Sequence, residues 1–552
     1  MLLTQRLSPN TRAESALGRT GMMRRNGGMM MVDILLAHSY FLKYDPKQLQ
    51  KMRPYPPLAT LYAAAALRER GYSVALFDAM LSEGEHEFAG ALERHQPRIV
   101  ALYEDSFNFL SKMCLSRMRE AACRMSALAR SSGAMVLAAG PDVSDHPELY
   151  FPHGVQFALV GEADHTLLEI VDCRLQIVDC SSQSAIYNLQ SAIRDIPGLA
   201  FPDPDAPGGV FRTPKRAPER RPDVFAFPAW DLVDVERYRA AWMAAHGYFS
   251  LNMVSTRGCP FHCNWCAKPI WGQRYAMRSP ASVAEELALV KRMLRPDHIW
   301  FADDIFGLRP RWVAEFGREV AARDAAIPFM IQSRVDLMTE EAVAGLKQAG
   351  CAEVWMGAES GSQRILDAMD KGTRVEQIAV ARARLGAAGI KAGFFIQFGY
   401  PGETLDDIMA TVQLVRDTLP DAIGVSVSYP LPGTRFHAMV REQLGAQTNW
   451  SDSDDLAMLF RGTYRSPFYR ALHRLLHEDL ELRRRIADCR FQIADYENSQ
   501  SATYNLQSAM DQMNAAWFEL GRLEASERND TPTLLVRQHG RIEAPDLSKE
   551  WN

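Results

Sequence analysis

The chain has 552 residues, of which 47% are hydrophobic and 23% charged, and its formal net charge is −5 at pH 7. This composition is typical of a globular protein of about two or three domains, and a weakly acidic chain without a basic cluster predicts no nucleic-acid partner. Runs of about 18 apolar residues, which a membrane-spanning helix needs, are missing. The chain has nine cysteines, an odd number, and we find no secretory signal. Disulfide bonds are therefore not expected, which favours a reducing, cytoplasmic location.

Residues 1–31 are rich in arginine, glycine and methionine and show no apolar periodicity. We predict that they are disordered, or that they lie upstream of the true start of the protein. Met29, Met30 and Met31 are the candidate start residues.

The first folded unit is predicted at residues 32–172, where five short apolar strands alternate with helices. This alternation predicts an α/β domain with a Rossmann-like, doubly wound parallel sheet. Ligands of such sheets bind at the carboxyl ends of the strands. The candidate ligand-binding residues at those ends are Glu104, Asp105, Gly140, Gly161 and Glu162.

This domain resembles the cobalamin (B12)-binding domain that precedes many radical S-adenosylmethionine (SAM) domains. The shared features are a helix that starts at the sequence Pro-Pro-Leu (56–58), a strand that ends in Asp78, and the Gly-Glu turn at 161–162. The resemblance implies that the strand-end residues bind cobalamin. The motif Asp-x-His-x-x-Gly, which places a histidine on cobalt, is missing, so we expect no histidine ligand on the lower face. A degenerate domain that only packs against its neighbour is the alternative.

Residues 173–193 recur almost unchanged at 489–510. Two copies at domain edges, with unrelated surroundings, indicate inserted repeats rather than a solenoid. We therefore do not expect Cys173, Cys180 or Cys489 to bind a metal. Residues 194–244, which contain many prolines, are predicted to form an extended linker.

Three cysteines, Cys259, Cys263 and Cys266, lie in a loop with the spacing CxxxCxxC. Three thiolates this close can hold three corners of a [4Fe-4S] cluster and leave the fourth iron open. From the residues alone, a zinc site with His262 as fourth ligand and a set of unliganded thiols are alternatives. Structural zinc sites, however, usually combine two ligand pairs separated by a longer loop.

The same motif, with Trp265 before the third cysteine, resembles the signature of radical SAM enzymes. The resemblance implies that the three cysteines ligate the cluster, that SAM chelates the open iron, and that Trp265 lies near the adenine.

Residues 245–450 alternate between six strands and their helices, which predicts a partial (β/α)6 TIM-type barrel. A Ser-x-x-Glu capping box at 282–285 predicts the start of its first helix. Buried charges at strand ends need partners, and a zwitterionic ligand such as SAM supplies them. The resemblance places Asp303 and Asp304 where the superfamily has Gly-Gly-Glu, and Glu359 in its fourth-strand segment. The predicted SAM-binding residues are Trp265, Asp303, Asp304, Gln332, Arg334, Glu359, Gln397 and Glu403.

Residues 451–552 are predicted to be a helical C-terminal region. The resemblance implies a cobalamin-dependent radical SAM enzyme that cleaves SAM reductively to a 5′-deoxyadenosyl radical and methylates an unactivated carbon. It further implies an electron donor such as flavodoxin or ferredoxin and a small-molecule or lipid substrate. An oxidative cyclase or hydroxylase, similar to the anaerobic magnesium-protoporphyrin ester cyclase, is the enzymatic alternative. A non-catalytic sensor that binds the cluster with SAM or cobalamin is the alternative of another class.

Overall fold

The computed structural model describes residues 24–26, 29–107, 116–179, 191–203, 205–268, 270–444, 456–493 and 500–529. A short antiparallel hairpin of β1 (Arg24–Asn26) and β2 (Met29–Met31) precedes the first domain. It lies in the segment expected to be disordered; residues 1–23 are outside the described ranges. Within those ranges, no helix is long and apolar enough to cross a membrane.

The first domain is built on a sheet of seven strands that lie in the order β4-β3-β5-β6-β7-β8-β9. Strands β3 to β7 of this sheet pair in parallel, as predicted. The pairs β7–β8 and β8–β9 are antiparallel. In chain order the strands are β3 (Ile34–Ala37), β4 (Val74–Phe77), β5 (Ile99–Tyr103), β6 (Met135–Ala139), β7 (Phe157–Leu159), β8 (Leu199–Pro202) and β9 (Val210–Arg212).

Six helices accompany this sheet within the described ranges: α1 (Pro46–Lys51), α2 (Leu58–Glu69), α3 (Glu85–His95), α4 (Ser116–Ser131), α5 (Pro141–Asp145) and α6 (Asp164–Asp179). The alanine-rich α2 is buried from Leu58 to Leu67 without a break. A helix that is buried on every side lies between two packed layers. Its core cluster contains residues of both domains, so α2 lies between the first sheet and the second domain.

The predicted linker differs from the structure. Residues 194–244 contain the hairpin β8–β9, which extends the first sheet, and the helix α7 (Val235–His246). Trp242 of α7 donates a hydrogen bond to the carbonyl oxygen of Pro54 at 2.7 Å, and Tyr238 donates to Oδ2 of Asp78 at 2.7 Å. The two strands are too short to show a period in a proline-rich sequence, and Pro202 falls at the end of its strand, where proline is tolerated.

The second domain contains a sheet of six parallel strands that lie in chain order. These strands are β10 (Ser250–Met253), β13 (His298–Phe301), β14 (Phe329–Ser333), β15 (Cys351–Glu359), β16 (Lys391–Phe398) and β17 (Ala422–Val427). Between β10 and β13 lies a two-stranded antiparallel pair, β11 (Thr256–Arg257) and β12 (Ala276–Met277). The six predicted strands are therefore confirmed as one parallel α/β sheet.

The helices that follow these strands are α8 (Pro280–Met293), α9 (Pro310–Ala322), α10 (Glu340–Ala349), α11 (Gln363–Ala368), α12 (Val375–Ala387), α13 (Leu405–Thr418) and α14 (Arg435–Val440). The predicted capping box at Ser282 is wrong. Helix α8 begins earlier, because Pro280 fits its first turn and the hydroxyl of Ser279 accepts a hydrogen bond from the Ser282 amide at 3.2 Å.

The C-terminal region forms two long helices, α15 (Ser466–Ile493) and α16 (Gln500–Glu527), as the predicted helical region requires. Arg416 of α13 binds Asp479 of α15 at 2.7 Å, and its guanidinium lies 4.8 Å from the ring centroid of Trp517 in α16. Much of the repeated segments, including Cys180 and the side chain of Cys489, lies outside the described residues, whereas Cys173 is buried in α6.

Candidate active site

The three cysteines of the CxxxCxxC motif lie in the loop between β11 and β12, which we call the cysteine loop (residues 258–275). All three thiols are unpaired and partly exposed. Burial raises the pKa of the Cys266 thiol to about 12 and also raises the pKa of Cys259; in each case Lys268 opposes this rise, and a neighbouring cysteine adds to it. Such thiols remain protonated until a metal displaces the proton.

The donor set fits an iron–sulfur cluster. Within the described ranges, no three His, Cys, Asp or Glu side chains converge as the ligands of a single metal ion do. The thiolates of a four-iron cluster each bind a different iron, so they surround a larger volume. His262, the fourth ligand of the zinc alternative, is exposed.

Glycine is required where the chain enters the cysteine loop. Gly258 has φ = +78°, in the left-handed region, and a Cβ there would lie 2.3 Å from the carbonyl oxygen of Arg274. The incoming strand and the outgoing arm of the loop therefore touch backbone to backbone. This contact closes the loop into a compact cradle around the thiols.

Asn264, between the second and third cysteines, anchors the loop on helices and turns of the second domain. Its amide group and backbone make three hydrogen bonds of 2.7 to 3.3 Å with residues 368–370. Its Oδ1 accepts from the hydroxyl of Tyr400 at 3.1 Å, and its carbonyl oxygen accepts from the Phe436 amide at 3.0 Å. We did not predict this role. An asparagine between two cysteines is the sequence signal that could have indicated it, because a buried amide group needs hydrogen-bond partners.

Two buried cations flank the cysteine loop. The guanidinium of Arg334 lies 3.7 Å from the ring centroid of Phe261 and donates to the carbonyl oxygen of Lys371 at 2.9 Å. The ammonium group of Lys371 binds Oε1 of Glu359 at 2.7 Å, and both of these side chains are buried. Arg334 and Glu359 are predicted SAM-binding residues. Lys371, which was not predicted, contacts both of them. Burial lowers the pKa of Lys371, but Glu359 and, to a smaller extent, Cys263 raise it above its usual value.

Asp303, at the end of β13, holds the start of the cysteine loop. Its carboxylate accepts hydrogen bonds from the amides of Ser255 and Thr256, each at 2.8 Å, and from the Ser255 hydroxyl at 2.6 Å. Burial raises its pKa to about 6, and these hydrogen bonds oppose the rise. Asp304 is exposed, and Gln332 is partly buried at the end of β14. A direct contact of these three residues with SAM stays a prediction.

Several fully buried polar atoms near the strand ends have no hydrogen-bond partner in the described part of the chain. They include Oε1 of Gln397 on β16, Oε1 of Glu403 in the turn that follows β16, and Oγ of Ser428 directly after β17. Trp265 Nε1 and Tyr275 OH, both in the cysteine loop, share this property. Buried polar atoms almost always find partners, so these atoms are candidates for contact with a polar ligand.

The predicted cobalamin-binding residues of the first domain are mostly occupied by protein contacts. Glu104 accepts from the Ser39 amide at 2.9 Å, and Asp105 accepts from the Ala59 amide at 3.1 Å. Burial raises the pKa of both carboxyl groups. A Cβ on Gly140 would lie 2.7 Å from Cβ of Glu104, whereas the nearest atom to a Cβ on Gly161 would be 3.9 Å away. A Cβ on Gly161 would therefore make only an ordinary van der Waals contact, with the carbonyl oxygen of Ile270.

The fifth residue of that set, Glu162, contacts the second domain instead. Its Oε1 accepts from Nη1 of Arg257 at 2.5 Å and from Nε1 of Trp271 at 3.2 Å. The carboxyl end of the first sheet therefore lies directly against the cysteine loop.

Residues 253–415 match the family model described as the radical SAM superfamily. The chain is 25% identical over 401 residues to an uncharacterized methyltransferase of Pyrococcus horikoshii, which covers 72% of this chain and 81% of that protein. It is 27% identical over 237 residues to the anaerobic magnesium-protoporphyrin IX monomethyl ester cyclase of Rubrivivax gelatinosus, covering 43% of this chain and 42% of the cyclase.

Two solved structures have a similar fold. TsrM from Kitasatospora setae, a radical SAM methyltransferase solved with cobalamin and a [4Fe-4S] cluster bound, has a TM-score of 0.57 at 19% identity and covers 76% of each chain. The cobalamin-dependent radical SAM enzyme OxsB, with aqua-cobalamin bound, has a TM-score of 0.62 at 16% identity, covering 89% of this chain and 72% of OxsB.

The fold and the site define a two-domain α/β protein whose three-cysteine loop lies beside the strand ends of its second sheet. Residues 253–415 are a radical SAM domain, and the protein is a radical SAM enzyme whose cofactors are a [4Fe-4S] cluster and SAM.

Proposed function

We propose that this enzyme is a cobalamin-dependent radical SAM methyltransferase that methylates an unactivated carbon of a small-molecule or lipid substrate. The observation that supports it most is the contact of Glu162 with Arg257 and Trp271, because a cofactor at the end of the first sheet would lie beside the cysteine loop. The similarity to a methyltransferase along 81% of that protein's length adds support.

In this proposal the first sheet is a Rossmann-like cobalamin-binding domain, extended by the hairpin β8–β9. The six-stranded sheet is a partial (β/α)6 barrel whose strand ends form the SAM pocket. Both cofactors then meet where the carboxyl ends of the two sheets face each other.

Cys259, Cys263 and Cys266 would hold the cluster, which with SAM supplies the radical that removes hydrogen from carbon. Around the cluster, the chain's own residues orient the bound groups and shield them from water. Lys371 and Arg334 provide positive charge beside the thiolates, and their partners keep both cations in fixed positions.

The polar pocket is proposed to consist of the partnerless atoms of Gln397, Ser428 and Glu403. Burial raises the pKa of Glu403 to about 8, so its carboxyl group is mostly protonated at neutral pH and can donate a hydrogen bond. Gln397 offers an acceptor oxygen and Ser428 a hydroxyl. Such a set suits the hydroxyl and amino groups of a nucleoside.

The first domain fits cobalamin without a histidine ligand. When bound, cobalamin supplies a transferable methyl group. His38, at the end of β3, is fully buried, and its Nε2 is held by Asp78 at 2.9 Å. Burial lowers the pKa of His38, but the hydrogen bond to Asp78 and the charge of that carboxylate raise it overall. The Ala79 amide also lies 3.1 Å from Nε2, so protein groups already occupy this nitrogen. Gly161 has no side chain, and a Cβ there would touch only the carbonyl oxygen of Ile270, at 3.9 Å.

Anaerobic reconstitution tests the radical chemistry. We expect about four irons per chain and formation of 5′-deoxyadenosine from SAM under reducing conditions, as a [4Fe-4S] enzyme requires. Cys263→Ala should remove both, whereas Cys351→Ala, which changes a buried cysteine of β15, should remove neither. A reduced, iron-loaded enzyme that leaves SAM intact would favour the non-catalytic sensor.

Hydroxocobalamin titration, followed by absorbance, tests the first domain. Saturable binding of about one equivalent supports the proposal, and no binding would exclude cobalamin-assisted methyl transfer. Wild-type and deletion strains grown with methyl-labelled methionine should differ in their metabolites. We expect a labelled product that is present in the wild type and missing from the deletion strain.

The oxidative cyclase remains the second candidate because of the 27% identity to the magnesium-protoporphyrin ester cyclase over 237 residues. A product that gains a ring or oxygen and no labelled methyl group would favour it. Either reaction needs a one-electron reductant, for which we propose a flavodoxin or ferredoxin.

A further inference from the structure

One carboxylate oxygen of the first domain holds both arms of the cysteine loop. Oε1 of Glu162 accepts from Arg257, which lies in the strand that leads to Cys259, at 2.5 Å. The same oxygen accepts from Trp271, in the segment that follows Cys266, at 3.2 Å. Glu162 itself follows the last parallel strand of the first sheet, at the edge where ligands of such sheets bind.

The surroundings of this contact are almost dry. Glu162 is 2% exposed and Arg257 is 6% exposed. Asp164 adds two further hydrogen bonds to the Arg257 guanidinium, at 2.9 and 3.3 Å. The guanidinium also lies 4.0 to 5.9 Å from the centroids of three rings outside the radical SAM domain, those of Tyr62, Phe107 and Phe225.

Because the contact is buried, breaking it has a large free-energy cost. Removing one partner of a buried ion pair leaves an uncompensated charge. The other oxygen of Glu162 is also held, by the Glu219 amide at 2.5 Å. The ring of Phe107 stacks on Trp271 at 5.2 Å between centroids. A displacement of Glu162 would break its hydrogen bonds to Arg257 and Trp271, the residues on either side of the three thiols.

We propose that Glu162 couples the ligand site of the first domain to the cluster site, so that filling one site changes the affinity of the other. In this role Glu162 is a positioning residue and not a ligand contact. The inference rests on the proposed cobalamin site. Coupling of this kind is reciprocal, and typical coupling changes an affinity by about 5- to 150-fold.

The test is a hydroxocobalamin titration of the full-length protein in two states: reconstituted with the cluster, and as Cys259→Ala, which lacks a cluster ligand. We expect the two dissociation constants to differ by about fivefold or more. Equal constants would overturn the coupling and leave the methyl-transfer proposal intact. No binding in either state would overturn the proposed function and the coupling with it.

Glu162→Gln, combined with each state, identifies the residue. The amide keeps the shape and an acceptor oxygen but removes the charge, so the two constants should converge to within about twofold. A wild-type difference in this variant would overturn the assignment to Glu162. Trp271→Phe provides an independent variant, because it keeps the stacking ring and removes only the N–H group that binds Glu162. It should reduce the difference in part, and an unchanged difference would contradict the proposal.

Glu286→Gln is the matched control. Glu286 is a fully buried carboxylate of the same interface, paired with Arg278 and near Tyr62, and it belongs to α8 rather than to the first sheet. A general loss of packing would affect both carboxylate variants alike in thermal unfolding. Of these two carboxylate variants, only Glu162→Gln should change the ratio of the two dissociation constants; a change of the same size in Glu286→Gln would overturn the proposal.

Discussion

The ammonium group of Lys371 and Oε1 of Glu359 lie 2.7 Å apart in a buried ion pair next to the cysteine loop. The backbone is shaped around this pair. A Cβ on Gly357 would lie 2.3 Å from Nζ of Lys371 and 2.5 Å from Oε1 of Glu359, so the space left by the missing side chain holds both charged ends. Glu359 itself has φ = +58°, which a residue other than glycine rarely adopts.

Replacing Lys371 with methionine should destabilise the protein by about 3–5 kcal/mol, because it leaves the Glu359 carboxylate buried without its partner. The double variant Lys371→Met/Glu359→Gln should recover much of this loss. Denaturant unfolding of the three proteins, measured by circular dichroism, provides the comparison. A double variant as unstable as the single one would show that the ion pair is not the cause.

Gly258→Ala should prevent stable assembly of the cluster. The left-handed φ and the contact with the Arg274 carbonyl oxygen together require a shift of the loop, at a cost on the order of 1–3 kcal/mol. Iron content after anaerobic reconstitution and desalting is the measurement.

Gly272→Ala is the control for that experiment. Gly272 belongs to the same loop and has φ = +62°, but a Cβ there meets nothing within 4 Å. We expect it to retain most of the iron. Equal losses in both variants would mean that backbone strain, and not the close approach of the two arms, decides the outcome.

Ser428→Ala should separate a ligand-binding role from a structural one. Its hydroxyl is buried and has no partner among the described residues, so removing it should leave the free energy of unfolding unchanged or slightly higher. Affinity for SAM should fall by about 2- to 10-fold, the value of one hydrogen bond. Equilibrium binding of SAM to the iron-loaded enzyme measures this. Unchanged affinity would remove Ser428 from the proposed pocket.

Glu403 predicts a stability that falls with rising pH. Burial raises its pKa from 4.5 to about 8, so the folded state binds a proton that the unfolded state has released. The stabilisation by this group is complete below about pH 4.5 and is lost as the pH rises to about 8.

Glu403→Gln should remove that part of the pH dependence. The melting temperature of the variant, relative to wild type, should rise by a few degrees between about pH 5 and pH 8. The control is Glu376→Gln, because Glu376 is 73% exposed and its removal should leave the curve unchanged. Parallel curves for wild type and Glu403→Gln would contradict the prediction.

The sequence predicted the parts of the fold that repeat locally. Short apolar strands that alternate with helices have a recognisable period, so the five parallel strands of the first sheet and the six of the second follow from the sequence. The position of the cysteine loop follows from the CxxxCxxC spacing of its three cysteines. The hairpin β8–β9 does not, because strands of four and three residues are shorter than the window in which a period is visible.

The site was predicted unevenly for a similar reason. Strand-end residues such as Arg334 and Glu359 were predicted because parallel strands end at one edge, and their contact with SAM stays a prediction. Arg257 and Glu162 are 95 positions apart, and nothing in a single sequence pairs them. Arg257 alone gave a signal, since a charged residue beside an apolar strand needs a buried partner. The structure supplies that partner.

The hairpin β8–β9 changes where the first domain ends. The sequence predicted a boundary at residue 172, but β8 pairs with β7 along its outer side and β9 covers β8 in turn. A protein fragment that stops at 172 would leave β7 as a bare edge of unpaired amides and carbonyls, which invites pairing with other chains. Continuing to residue 246 keeps this edge closed and includes α7, whose Trp242 and Tyr238 bind the first domain. The shorter fragment should therefore aggregate more readily than the longer one.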